Sequence, residues 1–193
     1  MNNFQLYFEL GFRHIANWGA LDHILFMVAL ALRYQFSDWK NLLILVTAFT
    51  IGHTVTLALA VFNMVHFPGR WIEFLIPVTI AITAFSNLMV KKFVYKSKFS
   101  AIYFFALFFG LVHGLGFSND LRSIIGNGDG AIIKLLSANI GIEVAQLMFV
   151  AMVLITGFIC LTVFKFNRRE YILFISGGIF GIGLQMALTR LPF

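Results

Sequence analysis

Six apolar stretches, separated by short breaks that carry charge or Gly and Pro, constrain this chain more than any other feature. They run roughly over 21–34, 42–62, 71–90, 101–117, 132–164 and 171–191. A helix needs about 20 apolar residues to cross a hydrocarbon layer near 30 Å thick. In lipid the backbone must satisfy its own hydrogen bonds, which a helix does within one segment. Six spans take about 120 positions, and 60% of the 193 residues are apolar. The charged share is 11%, against about 25% for soluble domains. These figures exclude a soluble enzyme, a nucleic-acid binder and a disordered chain. The expectation is an all-α polytopic membrane protein, one transmembrane domain over 1–193.

Two stretches do not fit a simple span. The first is short, so the amphipathic segment Phe4–Ile15 before it is expected at the interface or part-way into the bilayer. The fifth would reach about 50 Å as one helix. Its first turns should stand outside the membrane, or it should break near Gly141. Glycines four residues apart, Gly110/Gly114 and Gly177/Gly181, read as helix-packing faces. Cys160 is the single cysteine, which excludes a disulfide framework and a Cys-based zinc site. The start, Met1-Asn2-Asn3-Phe4, lacks the basic region of a secretory signal.

The net charge of +6 is unevenly placed. Nine basic residues fall after the first, third and fifth stretches: Arg33 and Lys40, then Lys91, Lys92, Lys96 and Lys98, then Lys165, Arg168 and Arg169. Five lie on the other side: Arg13, Arg70, Arg122, Lys134 and Arg190. The positive-inside rule makes the nine-charge side cytoplasmic and leaves both termini outside.

Ionisable side chains within spans need a reason and a partner. Asp22 and His23 open the first stretch, and His14 precedes them. His53 lies deep in the second, with Thr50 and Thr54 on its side or nearly so. Glu73 opens the third and His113 ends the fourth. Asn139, Glu143 and Gln146 form a polar stripe at i, i+4, i+7 on the fifth. With the orientation above, residues from five spans gather at one depth, in the outer half of the bilayer. Imidazole and carboxylate together suit a divalent transition metal. Each residue also has a plainer reading. A histidine bonds a carbonyl, Glu143 is a protonated carboxyl bonded to Asn139, and Glu73 pairs with Arg70 at the surface. His66 reads as interfacial, and the Gly126–Gly130 run as an outer loop without calcium-ligand spacing.

The ordered motifs His14…Asp22-His23, Phe49-Thr50-Ile51-Gly52-His53, Ile72-Glu73…Ser86-Asn87, Phe109-Gly110-Leu111-Val112-His113-Gly114 and Asn139-Ile140-Gly141-Ile142-Glu143 resemble the HupE/UreJ family. That resemblance implies a small six-helix bacterial inner-membrane protein regarded as a nickel permease. It also implicates His14, Asp22, His23, His113 and Glu143. The family's His-x5-Asp-His segment is here His-x7-Asp-His. Nine residues put His14 and His23 about 180° apart on a regular helix. Either His14 is not a ligand or the helix breaks at Asn17-Trp18-Gly19, where Asn and Gly make a break cheapest. Val112 also stands where the family has Phe.

The leading expectation is a secondary transporter of a divalent transition metal, nickel first, with zinc, cobalt or iron as alternatives. Metal ligands would be His14, Asp22, His23, His53, His113 and Glu143. Thr50, Thr54, Glu73, Asn87, Asn139 and Gln146 would line the path or support it. The rivals are an intramembrane zinc hydrolase with Glu143 or Glu73 as base, and a metal sensor or assembly partner without flux. No nucleotide-binding motif is present to supply ATP drive. The expected partners are the metal ion and the lipid bilayer, with no nucleic acid and a homo-oligomer left open.

Overall fold

A computed structural model describes residues 3–17, 21–90, 101–125 and 130–193. Among them are seven α-helices: α1 (Asn3–Ala16), α2 (Leu21–Ala31), α3 (Trp39–Val61), α4 (Gly69–Met89), α5 (Ala101–Ile125), α6 (Ala131–Phe158) and α7 (Arg168–Thr189). The protein is an all-α membrane protein. Four described helical segments are long and apolar enough to cross a bilayer, and α1 with α2, inclined by 71°, make a fifth if counted as one broken span. The Lys91–Lys98 loop, Trp18, Gly19, and the start of the Gly126–Gly130 run lie outside the described residues.

Local chemistry sets the helix ends. Asn167 caps α7, its side-chain oxygen accepting from the Arg169 backbone N–H at 2.8 Å, which satisfies one of the donors a helix start leaves open. Pro68 precedes α4 with its φ near −60°, a value its ring imposes at little cost there. Gly130 precedes α6 at φ +86°, a left-handed conformation that glycine adopts without a Cβ clash.

Three helix pairs pack most closely: α3 with α5, α1 with α6, and α4 with α7. Small residues allow the first two. A Cβ at Gly110 would overlap the Phe49 carbonyl, and one at Gly52 the Leu107 carbonyl. In lipid no hydrophobic force drives helices together, so such close backbone approach is what holds them. Across the second pair, Gly11 lies on Ala138 and Gly141 on Phe8. The Ser137 hydroxyl donates to the Phe4 carbonyl at 2.5 Å.

The segment Phe4–Ile15 is a helix seated along α6 and buries Tyr7, Gly11 and Ile15. Other expectations change. The long fifth stretch does not break at Gly141, because that glycine is the seat of α1. Its regularity changes near the other end, in a π-helical turn over Ile159–Val163. The fourth stretch forms α5, which runs on to Ile125, eight residues past the expected end. Gly110 and Gly114 do form a packing face, but Gly177 and Gly181 face open space. Much of α6 and α7 is exposed and apolar, including Ile132, Met152, Phe158 and Phe174. That is the surface a lipid solvent accepts.

Candidate metal centre

The break between α1 and α2 builds the centre. A continuous helix would hold His14 and His23 on opposite faces. With α1 ending at Ala16 and α2 starting at Leu21, the two rings instead meet edge to face, centroids 4.7 Å apart. A discontinuous span is a common way to place ligands inside a membrane, since irregular backbone is tolerated where it is buried in protein. His53 comes from the middle of α3, 6.3 Å from His14 and 6.5 Å from His23 by ring centroids. His113, from α5, lies 5.3 Å from His23. The glycine seam between α3 and α5 lets this happen: Gly110 and Gly114 abut the backbone around His53 itself.

One nitrogen from each of His14, His23 and His53 lies within 4.8 Å of the others. Metal–imidazole bonds near 2.0–2.1 Å put two ligand nitrogens about 3.4 Å apart in a tetrahedron. Side-chain adjustments of about an ångström would close this group onto one ion. The fit of the donor set is sharper than the distances alone. Nε2 of His14, His23 and His113 and both nitrogens of His53 are buried with no hydrogen-bond partner. A buried polar atom left unpaired costs about 1–3 kcal/mol, so five such nitrogens in one place call for a ligand.

Two of the rings are already oriented. Asp22 Oδ1, an acceptor only, takes a hydrogen bond from His23 Nδ1 at 3.1 Å. The Phe109 carbonyl takes one from His113 Nδ1 at 2.8 Å. Both bonds fix the Nδ1–H tautomer and leave the Nε2 lone pair for a metal. Asp22 therefore stands behind His23, and its other oxygen lies 3.8 Å from Arg190. Phe117 stacks on His14, centroids 3.6 Å apart. Neither Arg190 nor Phe117 stands out in the sequence. Phe117 is one of 24 phenylalanines and Arg190 counts only as an outer charge.

The polar stripe on α6 divides. Gln146 accepts from Thr50 at 2.8 Å and Asn139 from Thr54 at 2.9 Å. These bonds clamp α6 to α3 on either side of His53. Glu143 is half-buried and is not part of the histidine group. Glu73 is exposed on α4. Asn87 is buried far along the same helix, where it bonds Arg33 and the Ala29 carbonyl.

A family model described as HupE / UreJ protein matches residues 1–190, nearly the whole chain. The chain belongs to the HupE/UreJ family. No curated protein and no solved structure matches it. In this HupE/UreJ protein, α1, α2, α3 and α5 thus bring four imidazoles together with their free ring nitrogens buried.

Proposed function

We propose that this chain is a secondary transporter of a divalent transition metal, nickel first, in the bacterial inner membrane. Cobalt, zinc and iron are the alternatives that the same donors serve. One observation carries the reading: five unpartnered imidazole nitrogens, buried at the meeting of α1, α2, α3 and α5. His14, His23 and His53 would form the primary ligand set, His113 a fourth, and Asp22 would hold the His23 ring. Glu143, half-buried beyond the group, would act as a later station or a supporting charge.

Neutral imidazoles can replace the hydration shell of a transition metal without trapping it as thiolates would. Metal must compete with protons for the same lone pairs, so binding releases protons where the histidines are charged beforehand.

The hydrolase reading needs a carboxylate base beside the metal water. The carboxylate that lies against the group, Asp22, is already engaged by His23, and neither Glu143 nor Glu73 is among the clustered ligands of the described residues, so no observation favours the hydrolase over the transporter. The test is direct. Purified protein loaded with Ni²⁺, Co²⁺, Zn²⁺ or Fe²⁺ is dialysed and its metal content measured, and proteoliposomes are then assayed for uptake. Stoichiometric binding with uptake supports the proposal. Binding without flux leaves a sensor or assembly partner, and no binding ends it.

A further inference from the structure

Two cavities flank the histidines, and they differ in how they reach them. One, of about 300 Å³, is lined by Leu21, Asp22, Gln185, Met186, Thr189 and Arg190. It touches the centre directly, because Asp22 bonds His23. The other, of about 370 Å³, lies between α2, α4 and α5 towards the opposite end of the bundle. Its polar wall is Arg33, Thr83, Ser86 and Asn87, and its innermost aromatic is Phe109.

The polar wall is held in place. Arg33 donates to Asn87 and, at 2.8 Å, to the Ser86 hydroxyl. Asn87 in turn donates to the Ala29 carbonyl at 2.7 Å. These bonds tie α4 to α2 and keep a polar surface open in a greasy setting. Between that cavity and the imidazoles stands one aromatic layer. Phe26 is fully buried, 4.9 Å from the His113 ring and 6.0 Å from Phe109. Phe109 precedes His113 by one helical turn, about 6 Å along the axis, and its carbonyl holds His113 Nδ1.

We propose that the Arg33–Asn87 cavity is the second mouth of the cation's route, and that Phe26 and Phe109 form the barrier closing the histidines off from it. The inference rests on the transport reading above. A hydrophobic constriction stops hydrated ions by excluding water. In this structure the cavity beside Asp22 meets the group only through the Asp22–His23 bond, and the Phe26–Phe109 layer separates the group from the Arg33 cavity. Transport requires a site that can be left as well as entered.

The experiment uses the full chain with Cys160→Ser, reconstituted in vesicles. Thr83→Cys lines the cavity, and Ala84→Cys, buried beside it, is the control. A charged, impermeant thiol reagent supplied to the Arg33 face should modify Thr83→Cys at least about tenfold faster than the control, as expected if polar walls hold water there. Labelling of Thr83→Cys only by an apolar reagent overturns the proposal and makes the cavity a lipid groove, entered past the exposed rim of Ile82 and Phe105. Phe109→Ala should speed release of bound Ni²⁺ or Co²⁺ to the Arg33 face about tenfold, because it widens the hydrophobic constriction between the imidazoles and the polar-walled cavity. Its equilibrium metal content should not change. Phe109→Leu and Phe26→Leu, which keep a large apolar side chain, should release slowly and guard against a folding defect. Unchanged release from Phe109→Ala overturns the barrier while leaving the metal centre standing. A parent that binds no metal overturns both readings, and that is read before any release assay.

Discussion

His23 and Asp22 are adjacent in the chain, yet the aspartate serves the imidazole twice: Oδ1 accepts from the His23 backbone N–H at 2.9 Å and from its Nδ1 at 3.1 Å. The carboxylate thereby fixes both the start of α2 and the direction of the ring. Carboxylates that orient a metal-binding histidine typically account for 10–100-fold in affinity. Asp22→Asn should weaken metal binding by about that factor, because the charge is lost, and leave a folded protein, since an amide oxygen can still accept both bonds. Titration calorimetry with Ni²⁺ or Co²⁺ measures it. An affinity loss as complete as that from removing a histidine would make Asp22 a direct ligand.

His53 gives a prediction with opposite signs for binding and stability. It is fully buried and neither ring nitrogen has a partner. His53→Leu removes two unsatisfied polar atoms while keeping much of the volume, so the metal-free protein should become more stable by about 1–3 kcal/mol. Metal content per folded molecule should fall to near zero. Thermal unfolding and elemental analysis on one preparation read both. A variant that melts earlier and keeps its metal would make His53 a packing residue.

The seam between α3 and α5 is testable without metal. A Cβ at Gly110 would strike the Phe49 carbonyl, which is backbone and cannot swing aside. Gly110→Ala should push the two helices apart and lower stability by about 1–3 kcal/mol, the usual toll of overpacking. Because His53 and His113 sit on those two helices, metal affinity should fall as well. Gly177→Ala meets nothing within 4 Å and should be neutral, or slightly stabilising through helix propensity. Melting temperatures of the pair decide it. Equal losses would mean that Gly177 packs against something beyond this chain.

Much of the centre is legible in the sequence because ionisable residues in apolar spans are rare and each demands a partner. His23, His53 and His113 stand out on that ground alone. His14 does not, because periodicity assumes an unbroken helix, and a break turns the angle argument around. The chain itself marks the break with Asn17-Trp18-Gly19, but only the meeting of the rings shows what the break is for. Glu143 is the opposite case. Its spacing from Asn139 and Gln146 puts it on their stripe, yet those two are taken up by Thr54 and Thr50 while it stays outside the histidine group. A stripe on one helix fixes direction, not distance to the other helices. The glycine pairs show the same limit, since identical spacing serves close packing at Gly110 and open surface at Gly177. Helix ends suffer from it too: hydropathy ends α5 at Phe117, whereas the helix continues over polar residues to Ile125.

Sidedness rests on charge and on one feature of the fold. Arg168 donates to the Arg33 carbonyl, and Arg169 to those of Leu88 and Val90. Basic residues from two connections therefore meet at one end of the bundle, where they also complement the carbonyl ends of α2 and α4. Asp22 and Arg190 mark the opposite end. An excess of Lys and Arg is retained on the cytoplasmic side during insertion, so the Arg33 end should face the cytoplasm and the Asp22 end the outside. In a Cys160→Ser background, single cysteines at Lys92 and Ser37 should react with an impermeant reagent only after the membrane is opened. A cysteine at Gln185, which lines the cavity beside Asp22, should react in intact cells. The reverse pattern would turn the histidine centre towards the cytoplasm and change import into export.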